Sequence, residues 1–126
     1  MDAWREGARG EARAAAWLIA RGMELIAQNL RGPHGEIDLV MRDGGYTVFV
    51  EVKRRAVGTR RGTGREAVNA AKRRRVCAVA LRYLLDRGLM GTPVRFDVVE
   101  LAGDQVTHLP NAFPYTPPTR GGRGFI

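Results

Sequence analysis

Lysine is almost missing from this chain. Two of its 21 basic residues are lysine, Lys53 and Lys72, and the other 19 are arginine. Cysteine is scarcer still, and a single Cys77 excludes an intrachain disulfide. Histidine occurs only at His34 and His108, too few with one cysteine for a structural zinc site built from those ligands. No apolar run approaches the ~20 residues that cross a bilayer. The opening Met1-Asp2-Ala3-Trp4-Arg5-Glu6 carries acids and no apolar stretch, unlike a secretory leader. These absences lead to the expectation of a cytoplasmic protein with no membrane partner. Cys77 reads as a small buried hydrophobe on a helix.

What is present is a chain of 126 residues, 44% apolar, long enough for one domain with its own core. Its net charge of +8 points to a polyanionic partner, foremost nucleic acid. An arginine bias in genomic base composition would raise the charge without any function, so distribution has to decide. Arg54, Arg55, Arg60, Arg61 and Arg65 follow one predicted strand directly, and Arg73, Arg74 and Arg75 come soon after. Such clustering favours binding.

Arg5 to Arg21 reads as an alanine-rich helix stopped at Gly22. Glu24 to Leu30 reads as a short strand, followed by the turn Arg31-Gly32-Pro33-His34-Gly35. Glu36 to Arg42 alternates, with Ile37, Leu39 and Met41 on one face and Glu36, Asp38 and Val40 on the other. Asp43-Gly44-Gly45 predicts a tight hairpin into Tyr46 to Lys53, where Val48, Val50 and Val52 share one face and Phe49, Glu51 and Lys53 the other. After a Gly/Thr/Arg loop, Arg65 to Arg87 predicts a long helix with the stripe Val68, Val76, Val79, Tyr83, on which Lys72 also falls. Val94 to Leu101 predicts another strand and Gln105 to Leu109 a short one. The expected fold is α/β, a central mixed sheet flanked by helices in the order αβββαβ, over residues 1–115. Residues 116–126, rich in Pro, Gly and Arg, predict a disordered tail.

Asp38 on one strand and Glu51-Val52-Lys53 on the next form a layout suited to a metal-dependent phosphodiesterase. Two carboxylates are hard oxygen ligands for Mg²⁺ or Mn²⁺, and a backbone carbonyl such as that of Val52 would add to them. A divalent ion polarises a phosphoryl oxygen and generates hydroxide, while a cation such as Lys53 orients the water, takes its proton or offsets developing charge. Glu11 on the first helix is the best third acid. Each residue has an ordinary alternative. Glu-x-Lys on a strand is usually a solvated pair, Glu11 an exposed helical residue, Glu36 a turn-stabilising acid and Lys72 a lysine snorkelling past a core stripe. Asp97 reads as the partner of a nearby arginine, and His34 as a surface residue.

Gly10-Glu11, Gly35-Glu36-Ile37-Asp38-Leu39-Val40, Val48-Phe49-Val50-Glu51-Val52-Lys53-Arg54-Arg55, Ala67-Val68 with Lys72, Arg95-Phe96-Asp97-Val98-Val99 and Asn111-Ala112-Phe113 together resemble the YraN-like family of small bacterial proteins. The resemblance runs from about Gly7 to Phe113. That family looks like the PD-(D/E)xK nuclease superfamily, near the archaeal Holliday-junction resolvases. The resemblance implies a restriction-endonuclease-like core, acids at Glu11, Asp38 and Glu51, and a catalytic lysine at Lys53. Lys72 matches a helix position that often carries a polar or basic residue, here assigned to nucleic-acid binding with Arg54, Arg55, Arg60, Arg61 and Arg65. The proline of the superfamily's name is absent, since Ile37 precedes Asp38. Resolvases cut two strands symmetrically, which implies a homodimer. Three functions are thus set against one another: a Mg²⁺-dependent endonuclease selecting branched DNA, a non-catalytic nucleic-acid-binding module on the same fold, and an interaction protein whose charge is compositional. The intact set Asp38, Glu51 and Lys53 favours the first.

Overall fold

The computed structural model describes residues 3–33, 35–58 and 70–115. His34, Val68, the loop arginines Arg60, Arg61 and Arg65, and the tail 116–126 lie outside the described residues. Helix α1 (Ala3–Ala20) leads into strands β1 (Glu24–Arg31), β2 (Glu36–Asp43) and β3 (Tyr46–Arg54). Helix α2 (Ala70–Asp86), β4 (Val94–Ala102) and β5 (Gln105–Phe113) follow. The order is therefore αβββαββ rather than αβββαβ. The short strand expected at Gln105–Leu109 runs on to Phe113 through Pro110. Proline is tolerated there because β5 is an edge strand, so no second neighbour needs its missing N–H.

The five strands form one mixed sheet in the order β1-β2-β3-β4-β5. β3 pairs antiparallel with β2 and parallel with β4, while β1 and β5 add antiparallel edges. A parallel pair needs a long crossover, and the segment that contains α2 supplies it. As the middle strand, β3 is covered on both faces, and Val48, Phe49 and Val50 are each no more than 1% exposed.

The helices take opposite faces. Ala14, Ala15 and Leu18 of α1 pack with Leu39, Met41, Val48, Val50, Val99 and Leu101. On the other face, Val76, Cys77, Val79, Ala80, Tyr83 and Leu84 of α2 pack with Val40, Phe49, Phe96 and Val98. Of the stripe expected on α2, the described members Val76, Val79 and Tyr83 are buried, and Cys77 beside them is 1% exposed. Phe49 meets Tyr83 edge-on at 5.8 Å between ring centroids and Phe96 at 5.3 Å. Gly22 (φ 100°) and Gly88 (φ 68°) end the two helices in the left-handed conformation that glycine adopts without a Cβ clash.

One expectation fails in an instructive place. Strict alternation would put Ile37 with Leu39 and Met41, yet Ile37 packs in the α2 cluster and the other two in the α1 cluster. The face therefore switches at Asp38. Gln28 pairs with Leu39 and Leu30 with Ile37, so Asn29, with φ 51°, lies at the same level of the sheet. Both strands leave regular geometry together, and the β2–β3 register ends at Leu39 opposite Val50.

Candidate carboxylate and lysine site

The end of that ladder is where the acids gather. Past the Leu39–Val50 rung, the backbone N–H of Val52 donates to Asp38 Oδ2 at 2.8 Å. A side-chain carboxylate thus takes the place of a ladder carbonyl, which fixes Asp38 against β3. Glu51 and Lys53, two residues apart, sit on the α2 side of β3. Lys72 of α2 donates to Glu51 Oε2 at 2.8 Å, and Lys53 Nζ lies 3.5 Å from the same oxygen. Glu11 of α1 comes within hydrogen-bonding reach of both Asp38 and Asn29. Five of the residues proposed from sequence are therefore neighbours: Glu11, Asp38, Glu51, Lys53 and Lys72. Lys72, assigned from sequence to nucleic-acid contact, is bonded to the central carboxylate.

The electrostatics follow from this crowding. Burial pushes the Asp38 carboxyl up to about 7, and the charges of Glu51, Glu11 and Glu36 push the same way, against the single N–H of Val52. Glu11 is raised too, chiefly by burial and then by Glu36, with its hydrogen bonds to Asp38 and Asn29 opposing. Burial lowers Lys53, and neighbouring Lys72 lowers it further, while Glu51 works against both. Burial also acts to lower Lys72, but its hydrogen bond and charge contact with Glu51 prevail and raise it. Two ammoniums compete for one carboxylate, and the closer one, Lys72, keeps its proton more firmly.

Carboxylates that hold each other's protons form a donor set suited to a hard cation, which would relieve their repulsion. Among the described residues, no three His, Cys, Asp or Glu side chains converge as a ready-made metal nest. The acids fit a divalent ion in kind, while Glu51 is directed to the lysines.

The flanking residues divide. Glu36 faces solvent and pairs with Arg31 at 3.1 Å. Arg54 is exposed at the end of β3, whereas Arg55 turns in toward buried Glu100, with 3.7 Å between Nε and Oε2. Glu100 escaped the sequence reading, although it lies opposite Lys53 in the parallel register and shares the α2 face with Phe96 and Val98. Asn29 escaped it as well, because nothing in a strand pattern announces a left-handed asparagine. Asp97 is the arginine partner expected: it accepts from Arg95 Nε (2.9 Å) and Nη2 (3.0 Å), lies 2.6 Å from His108 Nε2, and accepts the Asn111 N–H at 2.9 Å.

Fold and site together define a small α/β protein with a mixed five-stranded sheet between two helices and a carboxylate–lysine cluster where the central ladder opens. No helix among the described residues is long and apolar enough to cross a membrane. Its relatives give it a family. The profile of the uncharacterised protein family UPF0102 matches residues 10–101, and the chain belongs to that family, the YraN family. A UPF0102 protein of Symbiobacterium thermophilum is 53% identical over 97 residues, covering 77% of this chain and 81% of its own. One of Anaeromyxobacter dehalogenans is 46% identical over 111 residues, covering 85% and 82%. One of Persephonella marina is 34% identical over 113 residues, covering 90% and 97%.

Proposed function

We propose that this protein is a divalent-metal-dependent endonuclease of the PD-(D/E)xK kind, with a restriction-endonuclease-like core, acting on DNA and selecting branched structures. The observation that carries the reading is the meeting of Glu11, Asp38, Glu51 and Lys53 from three separate elements at one end of the sheet, with Asp38 raised to about 7 by its surroundings. Asp38 and Glu51, with Glu11 beside them, would hold the ion, Mg²⁺ or Mn²⁺. When bound, the ion supplies Lewis acidity at the phosphoryl oxygen and eases ionisation of a water.

The chain's own groups do the rest. Hydrolysis forms a bond from the water oxygen to phosphorus and breaks the bond to the leaving sugar oxygen, which takes a proton. The water must lose its proton as it attacks. Lys53, whose ammonium burial and Lys72 hold below the ordinary lysine range, is placed to guide or accept it. Lys72 keeps Glu51 oriented and itself stays protonated.

One observation favours a second reading. Both lysines already pair with Glu51, and no three His, Cys, Asp or Glu side chains among the described residues are arranged to hold a metal ion, which suits a nucleic-acid-binding module that does not cut. Cleavage decides between them. Wild-type protein with Mn²⁺ or Mg²⁺ should cut a branched DNA, and Glu51→Gln should lose the activity and the calorimetric signal for Mn²⁺. A wild type that cuts neither DNA nor RNA with any divalent ion removes the nuclease and leaves the binding module.

A further inference from the structure

At the same end of the sheet, but reaching round to the α1 side, lies a cleft of about 330 Å³. Arg9 and Arg13, one turn apart on α1, line it with Arg54 and Arg55 from the end of β3. None of the sequence patterns singled out Arg9 or Arg13. Two glycines complete the lining, and their small size shapes it. A Cβ at Gly10 would lie 3.4 Å from the side chains of both Arg54 and Leu101, so a larger residue would displace the arginine or fill the space beside it. Gly103 turns the β4–β5 hairpin with φ 58°, which brings backbone rather than side chain to the rim.

Four guanidiniums around one concavity are a specific chemistry. Like charges at this spacing repel one another, and guanidinium forks match the paired oxygens of a phosphate. Arg55 is anchored at the edge of the cleft: its Nε is buried 3.7 Å from Glu100 Oε2, an ion-pair distance, with no hydrogen-bond partner among the described residues. An arginine excess spread by base composition would give no concave cluster floored by glycine.

The cleft's place in the fold says which phosphate. Glu51 and Arg54 are three residues apart on β3, about 10 Å at strand rise. Successive residues alternate in face, so Lys53 looks toward α2 and Arg54 toward α1, and the cleft wraps the end of the strand between them. On α1, Glu11 of the acid cluster lies between Arg9 and Arg13 in sequence. We infer that this cleft is a phosphate subsite, seating one backbone phosphate of a nucleic-acid strand whose neighbouring phosphodiester lies over Asp38, Glu51 and Lys53. The strand's identity rests on the proposed function, and the anion site itself does not. The subsite sets the register of the strand, fixing which bond is presented to the acids.

The test compares full-length wild type with the Arg9→Ala/Arg13→Ala double variant. Both side chains are exposed, and alanine is the best helix former, so the fold is expected to hold, with circular dichroism as the check. Anisotropy with a short DNA, repeated across a salt series, should show binding weakened about tenfold and a log–log salt slope smaller by about 0.9, the value of one phosphate contact. Inorganic phosphate should shift the amide signals of Gly10 and Gly103 in the wild type, a measurement that needs no variant. An unchanged slope in the folded variant, or no response of those amides to phosphate, overturns the subsite. The two readings fail separately. Glu51→Gln should abolish cleavage and leave the slope intact. A wild type that cuts nothing but shows the arginine-dependent slope keeps the subsite and removes the nuclease.

Discussion

Asp38→Asn tests the electrostatic reading of the site without any substrate. In the folded chain Asp38 titrates at about 7 against an ordinary 3.8, because burial and then Glu51 disfavour its charge. Between those values the folded state holds a proton that the unfolded state has released. Stability therefore falls as pH rises through that window, and the loss is complete above the folded value. The two units from about pH 5 to pH 7 are worth at most ~3 kcal/mol at 1.36 kcal/mol each. Asp38 is half-buried, and solvent screening brings the expected figure to about 1–2 kcal/mol. Asparagine removes the charge and keeps an oxygen to accept the Val52 N–H. Urea unfolding of chelator-treated protein should find the variant more stable than wild type at about pH 8, by about 1–2 kcal/mol more than at about pH 5. Taking the difference between the two proteins cancels the titration of groups that do not interact with Asp38. Added Mn²⁺ at the higher pH should stabilise wild type and not the variant. A difference that stays constant with pH would refute the account of Asp38.

Two further outcomes are expected. Lys53→Met keeps the stem and removes the ammonium, so DNA cleavage with Mn²⁺ should fall by about 100-fold, the effect of losing one preorganised charged group. Binding of the same DNA should change by less than about 1 kcal/mol, since that group acts mainly in the transition state. Equal cleavage by the two proteins would move the activity to other residues. Asp97→Asn should destabilise the fold by about 3 kcal/mol in thermal or urea unfolding, because Arg95 and His108 lose a buried anionic partner. Asp97 is held below the ordinary carboxylate range despite its burial, so its stabilisation is present above about pH 4 and lost as pH falls further. A variant as stable as wild type at neutral pH would show that the network is incidental.

Much of the architecture could be read from residue order because the signals are local. Period-two apolar runs marked β2 and β3, glycines marked the helix ends, and Lys72 on the α2 stripe anticipated its place beside the core. Two features were not local. The face switch at Asp38 lies opposite a left-handed Asn29 one strand away, and no spacing within Glu36–Arg42 reveals it. The full length of β5 was hidden by Pro110, which argues against a strand unless that strand is known to be an edge. Among site residues, the acids and Lys53 stood out because their spacing suits a chemistry. Glu100, Arg9 and Arg13 acquire meaning only when parallel pairing and the packing of α1 bring them to Arg54 and Arg55. The proposed contacts of Arg60, Arg61 and Arg65 lie outside the described residues.

Asp38 and Asp97 show what sequence withholds and surroundings supply. Both are aspartates on strands near the centre of the sheet, and both are pushed toward neutrality by burial. Asp97 occupies the irregularity where the β4–β5 register shifts between Phe96 and Val98, and it is met by Arg95, His108 and the Asn111 N–H. Enough donors converge there to overcome the burial, so the charge is retained and the side chain ties two strands together. Asp38 occupies the opening of the β2–β3 ladder and is met by one N–H and three acids. Its charge is opposed more than matched, since the one N–H of Val52 stands against burial and three acids. A buried carboxylate in debt to its neighbours for a missing cation is the expected mark of a site that binds one, whereas a saturated carboxylate is the mark of structure. That contrast is what the proposed metal site would require of Asp38, with Glu11 and Glu51 beside it.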